Sequence, residues 1–177
     1  MVRPRVLIAG VGNIFLGDDA FGVEVVRRLA QRPLPEQVRL VDFGIRGLDL
    51  TYALLDGYET ILMVDAAPRG GSPGTLYVLE PDAPSPPGPG EAAPLIETHG
   101  MDPAKVLRLA AAMGGRVGRL LVVGCEPAPV DDVEEMQTGL SKPVRAAVDE
   151  AVGLIESLVA KILGGDGGAV ADAVPGR

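Results

Sequence analysis

Several features that mark whole classes of protein are absent from this sequence. It has one cysteine and no tryptophan in 177 residues, which excludes a disulfide framework and is compatible with a reducing compartment. No hydrophobic run approaches the ~20 residues that a membrane span needs, and the first apolar run begins too early for a signal peptide to precede it. A formal net charge of −8 without a basic patch argues against nucleic-acid binding. We therefore expect a soluble cytoplasmic protein that binds neither membrane nor nucleic acid.

The residues that are present are typical of an α/β protein. Hydrophobic residues make up 47% of the chain, 24 residues are glycine, and valine, leucine and alanine are abundant. A chain of this length forms one domain with a sizeable core. We predict a single domain over residues 1–163 and a disordered tail over residues 164–177, which are rich in glycine and alanine.

Apolar runs and turn residues predict the order of the elements. Strands that are apolar on both faces are typical of a parallel sheet covered by helices. The run at 74–80 follows the preceding strand too closely for a helical crossover, so it is expected to be antiparallel and at or near an edge. The predicted fold class is α/β, a three-layer α/β/α sandwich whose mostly parallel, twisted sheet has about five strands. The predicted strands cover residues 6–9, 38–44, 60–67, 74–80 and 119–125, and the predicted helices cover 18 or 19 to about 31, 47–57, 102–113 and 141–163.

A proline-rich segment, residues 81–94, does not fit this assignment. It contains six prolines, so it is neither a helix nor a central strand. A solvated loop is the simplest interpretation. A position at the border of a functional site is the alternative, because the segment leads directly to the only histidine, His99.

The stretch "AGVGNIFLGDDAFG", residues 9–22, has the beginning of a nucleotide-binding loop. Gly10 and Gly12 follow an apolar run, as a phosphate-binding turn requires. However, Phe15 stands where a third glycine would open the helix, and Asp18 and Asp19 would repel a pyrophosphate there. We expect no nucleotide cofactor, and a nucleotide-binding α/β protein is kept as an alternative.

Acidic residues follow the predicted parallel strands at their carboxyl ends, the edge where such sheets bind ligands. Asp18 is interpreted as the N-cap of the first helix, and Asp42 as an acceptor for amides of the next loop. Asp65 follows the apolar run "ILMV", so its desolvation calls for a partner. With Asp19 and His99 it would make an O,O,N set suited to a divalent first-row metal. Spacing alone only suggests this set, since a lone histidine is usually structural or exposed.

The order and spacing of several motifs resemble the hydrogenase maturation proteases, from about Val6 to Leu158. The resemblance implies an endopeptidase that removes the C-terminal extension of a nickel–iron hydrogenase large-subunit precursor after nickel insertion. It also implies that Asp19, Asp65 and His99 bind nickel presented by the substrate and carry the catalysis; the first of these positions is often glutamate in the family. We expect the protein to act as a monomer. The motifs are "IAGVGNIFLGDDAFG", "VDFGIRGLDL", "MVDAAPRGGSPGTL", "THGMD" and "GLSKPVRAAV".

The same resemblance identifies candidate substrate contacts. The family's loop after the second strand often reads Asp-Gly-Gly-Thr, and this chain departs from it at Phe43, Ile45 and Arg46, as it does at Ala20, where glycine is common. On this interpretation the glycines let an incoming peptide approach the backbone. The predicted substrate-binding residues are Gly10, Gly12, Asn13, Asp42, Gly44 and Gly47.

Other chemistries stay open at this point. The sequence has neither H-E-x-x-H nor G-x-S-x-G, so the zinc-protease helix and the nucleophile elbow are excluded. A covalent dyad of Cys125 and His99 is the alternative mechanism, although a cysteine that ends a strand is more often a small buried hydrophobe. A nickel-binding maturation chaperone that does not cleave would share the three metal ligands and is the alternative function.

Overall fold

A five-stranded sheet organises the chain in the computed structural model, which describes residues 5–82, 103–129 and 139–165. Its parallel strands lie in the order β2 (Val38–Gly44), β1 (Val6–Val11), β3 (Thr60–Ala66) and β5 (Arg119–Cys125). β4 (Leu76–Leu79) pairs antiparallel with β5 at the edge of the sheet. The prediction of one antiparallel edge strand is therefore confirmed, for the reason given: the link after β3 is too short to cross the sheet.

Helices cover both faces of the sheet, which confirms the three-layer sandwich. Neighbouring strand residues alternate between the faces, so Ile8 and Leu62 join one core cluster while Leu7 and Ile61 join the other. Helices α1 (Phe21–Leu29) and α4 (Lys142–Gly164) pack on the first cluster, and α2 (Gly47–Leu55) and α3 (Pro103–Ala112) on the second.

The first helix differs from the prediction at both ends. A 3₁₀ turn over Gly17–Ala20 precedes α1, and the α-helix ends at Leu29 rather than near residue 31. The prediction that Asp18 caps this helix is wrong. Its carboxylate instead accepts hydrogen bonds from the backbone N–H groups of Ala128 (2.8 Å) and Ser141 (2.6 Å), so it joins two distant segments of the chain.

Helix α4 begins after its N-cap Ser141 and ends at Gly164, followed by Gly165 with a left-handed φ of 85°. It therefore includes the first residue of the predicted tail, and residues 166–177 lie outside the described residues. Residues 83–94 of the proline-rich segment lie outside them as well, as does His99. No helix in the described part of the chain is long and apolar enough to span a bilayer.

Candidate active site

The carboxyl ends of β1, β2 and β3 meet at one edge of the sheet, where most of the predicted site residues lie. Gly10 in β1 is in register with Asp42 in β2 and with Val64 in β3, so Asp42 and Asp65 both lie at this edge. Asp19 comes to the same edge from the 3₁₀ turn that follows β1.

Asp65 is a nearly buried carboxylate, with 8% of its surface exposed. Burial raises its pKa well above the usual aspartate value, and the negative charge of Asp19 raises that pKa further, against a hydrogen bond from the Ala66 backbone that lowers it. The structure thus brings Asp19 and Asp65 close enough to repel one another. A pair of this kind favours either a proton or a cation.

The Asp19 carboxylate is oriented by the loop that leads into its turn. The backbone N–H of Asn13 donates to it at 2.7 Å, and the Asn13 side-chain oxygen accepts from the N–H of Phe15 at 2.9 Å. An amide that a phosphate-binding loop would offer to its ligand is here occupied by a carboxylate, which argues against the nucleotide-binding alternative.

The loop glycines have a packing role within the chain itself. A Cβ on Gly12, whose φ is +138°, would lie 1.8 Å from the carbonyl oxygen of Asp19. One on Gly10 would lie 2.5 Å from Val26 and 2.6 Å from the carbonyl oxygen of Gly22 in α1. These glycines therefore allow the chain's own 3₁₀ turn and α1 to pack closely against the loop. Contact with a substrate at Gly10 and Gly12 stays a prediction.

The remaining predicted substrate contacts lie where β2 passes into α2. Gly44 accepts a hydrogen bond at 3.0 Å from the N–H of Gly12, which ties the two loops together. Gly47 is buried as the first residue of α2. The Asp42 side chain lies 3.9 Å from the guanidinium of Arg27, and its backbone carbonyl accepts from Arg46. The ion pair with Arg27 was not part of the prediction for Asp42.

Large apolar side chains are exposed next to these residues. The loop between β1 and the 3₁₀ turn exposes Phe15 and Leu16, at 58% and 59%, and the loop after β2 exposes Ile45 at 59%. The hydrogen bond between Gly12 and Gly44 makes the two loops neighbours. The acidic edge is therefore bordered by apolar surface of the kind that binds peptide side chains.

The two described members of the predicted ligand set, Asp19 and Asp65, fit a divalent metal. Two carboxylates that repel each other, one of them desolvated, gain from a cation between them, and oxygen ligands suit first-row ions and harder ones. The third predicted ligand, His99, lies outside the described residues, so the trio as a whole stays a prediction. Within residues 5–82, 103–129 and 139–165, no three His, Cys, Asp or Glu side chains are grouped to hold a metal.

Cys125 has the character of a core residue. It is fully buried in the first core cluster, and burial, followed by the charges of Asp18 and Glu126, raises the pKa of its thiol to about 12. A thiol with such a pKa remains protonated at neutral pH and is a poor nucleophile. This observation supports the interpretation of Cys125 as a small buried hydrophobe over the covalent dyad.

The sequence interpretation missed Glu126, which is 5% exposed and directly follows β5. Its carboxylate accepts hydrogen bonds from the backbone N–H groups of Arg69 (2.7 Å) and Gly70 (3.2 Å), just beyond β3. The rule that singled out Asp65, an acidic residue at the end of an apolar strand, applies equally to "LLVVGCE" and would have found it.

Comparisons with known proteins agree with the fold and with the predicted family. A family model described as hydrogenase maturation protease matches residues 23–158. The hydrogenase expression/formation protein HupM of Azotobacter chroococcum mcd 1 is 34% identical over 160 residues, which cover 89% of this chain and 73% of that protein. The hydrogenase 2 maturation protease of Escherichia coli (strain K12) is 30% identical over 154 residues, covering 84% and 86%. The solved structure of the hydrogenase maturating endopeptidase HybD from E. coli aligns with a TM-score of 0.68 at 26% identity, covering 89% of this chain and 93% of that one.

Proposed function

The chain belongs to the hydrogenase maturation protease family, and on that premise we propose that it removes the C-terminal extension of a nickel–iron hydrogenase large-subunit precursor. We propose further that it acts after nickel insertion, as a cytoplasmic monomer, with Asp19, Asp65 and His99 binding the nickel that the substrate presents. The observation that carries the proposal is the pair of carboxylates at the carboxyl edge of the sheet, with Asp65 nearly buried at the end of β3 and Asp19 brought there by the turn after β1.

This pair supports recognition of a metal-loaded substrate. Three ligands of mixed type bind a free metal weakly and select poorly among first-row ions. A precursor that presents nickel on its own side chains would add the missing ligands, so the affinity of the complex would depend on the metal being in place. Bound nickel would supply a positive charge that favours the ionised form of Asp65 and would polarise a nearby carbonyl or water.

The residues around the pair have separate tasks in this proposal. Asn13 holds the Asp19 carboxylate through its backbone N–H. The exposed side chains of Phe15, Leu16 and Ile45 offer apolar contacts to the peptide that carries the scissile bond. Burial keeps the Asp65 carboxylate out of bulk water. Its attraction to a cation is therefore stronger than it would be at a fully solvated site.

A cleavage assay tests the proposal. Purified precursor is prepared with and without nickel, chelator removes loose metal, and release of the C-terminal extension is followed over time. We expect cleavage of the nickel-loaded precursor alone. Equal cleavage of both forms would refute nickel recognition, whereas binding of the loaded precursor without cleavage would favour the chaperone alternative.

Substitution of the predicted ligands tests their assignment. Asp19→Ala, Asp65→Ala and His99→Ala should each abolish processing while circular dichroism shows a folded protein. Asp49→Ala, which removes an exposed carboxylate from α2, serves as the control and should process normally. Normal processing by the His99 variant would exclude a metal site built on this trio.

A further inference from the structure

Two side chains, one from β4 and one directly after β5, hold the loop that follows β3. This loop, residues 67–75, begins two residues after Asp65. The hydroxyl of Tyr77 in β4 donates a hydrogen bond to the carbonyl oxygen of Ala67. The carboxylate of Glu126 accepts from the N–H groups of Arg69 and Gly70 at 2.7 and 3.2 Å. The start of the loop is thus attached to both β4 and the end of β5.

Tyr77 reaches this loop across a strand because residue 124 is a glycine. In the sheet, Gly124 is in register with Asp65 on one side and with Tyr77 on the other. A Cβ on Gly124 would lie 2.2 Å from the Tyr77 ring, so the ring occupies the space over β5 that a side chain would fill. Tyr77 therefore extends over Gly124 toward β3 and its loop.

Glu126 holds the other end of the loop through its backbone. Its N–H donates to the carbonyl oxygen of Thr75 at 2.9 Å, and its own carbonyl accepts from Gly74 at 2.8 Å. The Arg69 guanidinium lies 5.5 Å from the centre of the Tyr77 ring, which links the two attachments. Burying a carboxyl group without hydrogen-bond partners is costly, so the two N–H donors of the loop stabilise Glu126 in its buried position.

The consequence falls on Asp65. Asp65 is nearly buried, lies two residues before Ala67, and is in register with Gly124, over which the Tyr77 ring packs, so a shift of the loop start would displace its carboxylate. We propose that Tyr77 and Glu126 are positioning residues that fix loop 67–75 against β5 and so hold Asp65 where it meets the metal and the substrate. The inference rests on the proposed function, because it gives these residues a role in the same site.

The experiment removes each attachment with the smallest change. Tyr77→Phe deletes one hydroxyl and keeps the ring, and Glu126→Gln deletes the charge and keeps the size. Each has a control that makes the same chemical change at the opposite end of the sheet. Tyr58→Phe removes a hydroxyl that accepts from Arg39 at 3.0 Å just before β3, and Glu80→Gln removes a carboxylate that pairs with Arg119 at 2.7 Å where β5 begins.

Four quantities are measured for each protein: kcat and KM for processing of the precursor, the affinity for nickel chloride by calorimetry, and the free energy of unfolding. Removing a residue that orients a metal ligand commonly costs roughly 10- to 100-fold in affinity or activity. We expect a loss of about 10-fold or more in kcat or in nickel affinity for both loop variants. The controls should lose neither, even where their unfolding free energies fall as far.

The outcomes separate this inference from the function on which it rests. If the wild type processes the precursor and the loop variants retain its kcat and nickel affinity, the positioning role is refuted and the function stands. Equal losses in the controls would refute it as well. If the wild type does not process the precursor, the proposed function fails, and nickel affinity alone decides whether Tyr77 and Glu126 position Asp65. Should Glu126→Gln not fold, Tyr77→Phe with its control still decides.

Discussion

The Asp18 carboxylate accepts hydrogen bonds from both the backbone N–H and the hydroxyl of Ser141, at 2.6 and 2.8 Å, although 123 residues separate the two in sequence. A third bond, from the N–H of Ala128, joins the end of β5 to the same carboxylate. The charge of the next residue, Asp19, instead raises the pKa of Asp65. Two adjacent aspartates thus have different tasks: Asp18 connects segments of the fold, and Asp19 belongs to the candidate site.

This division predicts a large stability loss for substitution of Asp18 and a small one, with loss of processing, for substitution of Asp19. Asp18→Ala leaves the N–H groups of Ala128 and Ser141 without their partner, so the free energy of unfolding should fall by about 2–4 kcal/mol. Asp19→Ala loses the bond from Asn13 but also relieves the repulsion on Asp65, so it should cost less than about 1 kcal/mol while abolishing processing. Urea unfolding and the cleavage assay together check both expectations. Equal stability losses would contradict the division.

The packing of Gly12 against the Asp19 turn predicts a severe effect of a single methyl group. Gly12→Ala places a Cβ 1.8 Å from the Asp19 carbonyl oxygen at a φ of +138°, so the turn must move. We expect a loss of roughly 3 kcal/mol or more, from strain and overpacking together, and no processing. Gly114 has a φ of +79°, and a Cβ there would have no heavy atom within 4 Å. Gly114→Ala therefore measures the cost of backbone strain without overpacking, and it should lower the free energy of unfolding by only about 1 kcal/mol. Comparable thermal melts of the two variants would show that the close approach carries no cost.

Burial of Asp65 predicts a pH dependence of stability. Because its pKa is raised in the folded protein, the folded state keeps a proton that the unfolded chain has already released. Stability therefore falls as the pH rises from the ordinary aspartate pKa through the raised value. Asp65→Asn cannot ionise, so it should gain stability relative to wild type as the pH increases.

Urea unfolding of the metal-free proteins between about pH 4 and about pH 8 measures this difference. Asp49→Asn, at an exposed site on α2, is the control and should follow the wild-type curve. Parallel curves for wild type and Asp65→Asn would mean that the burial of Asp65 has no energetic consequence.

Because the Cys125 thiol is buried, we predict that processing of the precursor does not require it. A pKa of about 12 keeps Cys125 protonated, and its full burial shields it from reagents. Cys125→Ala should retain processing with a stability cost of about 1–2 kcal/mol from the lost packing, and native protein should react slowly with alkylating agents. A folded Cys125→Ser variant without activity would instead restore the covalent dyad.

The elements of this fold could be predicted because their signals are local. Apolar runs that end in glycine or acidic residues located the five strands of the described part of the chain to within a few residues. The short link after β3 was enough to predict that β4 is antiparallel. The acidic edge followed from topology alone, since parallel strands bring their carboxyl ends together. The family resemblance found in the motifs is confirmed by the matching family model and relatives.

What the sequence determined by itself is thus the order and type of the elements and the edge at which Asp19, Asp42 and Asp65 gather. Only the tertiary structure decided which partner each side chain has. Asp18 is a residue type that favours helix N-caps, but its carboxylate accepts a hydrogen bond from Ser141 instead. The sequence interpretation missed Glu126, whose carboxylate accepts a hydrogen bond from loop 67–75. The physical reason is that secondary structure depends on neighbours in sequence. A buried or partly buried carboxylate is instead stabilised by whichever donors the packed chain brings to it, here from residues 57 and 123 positions away.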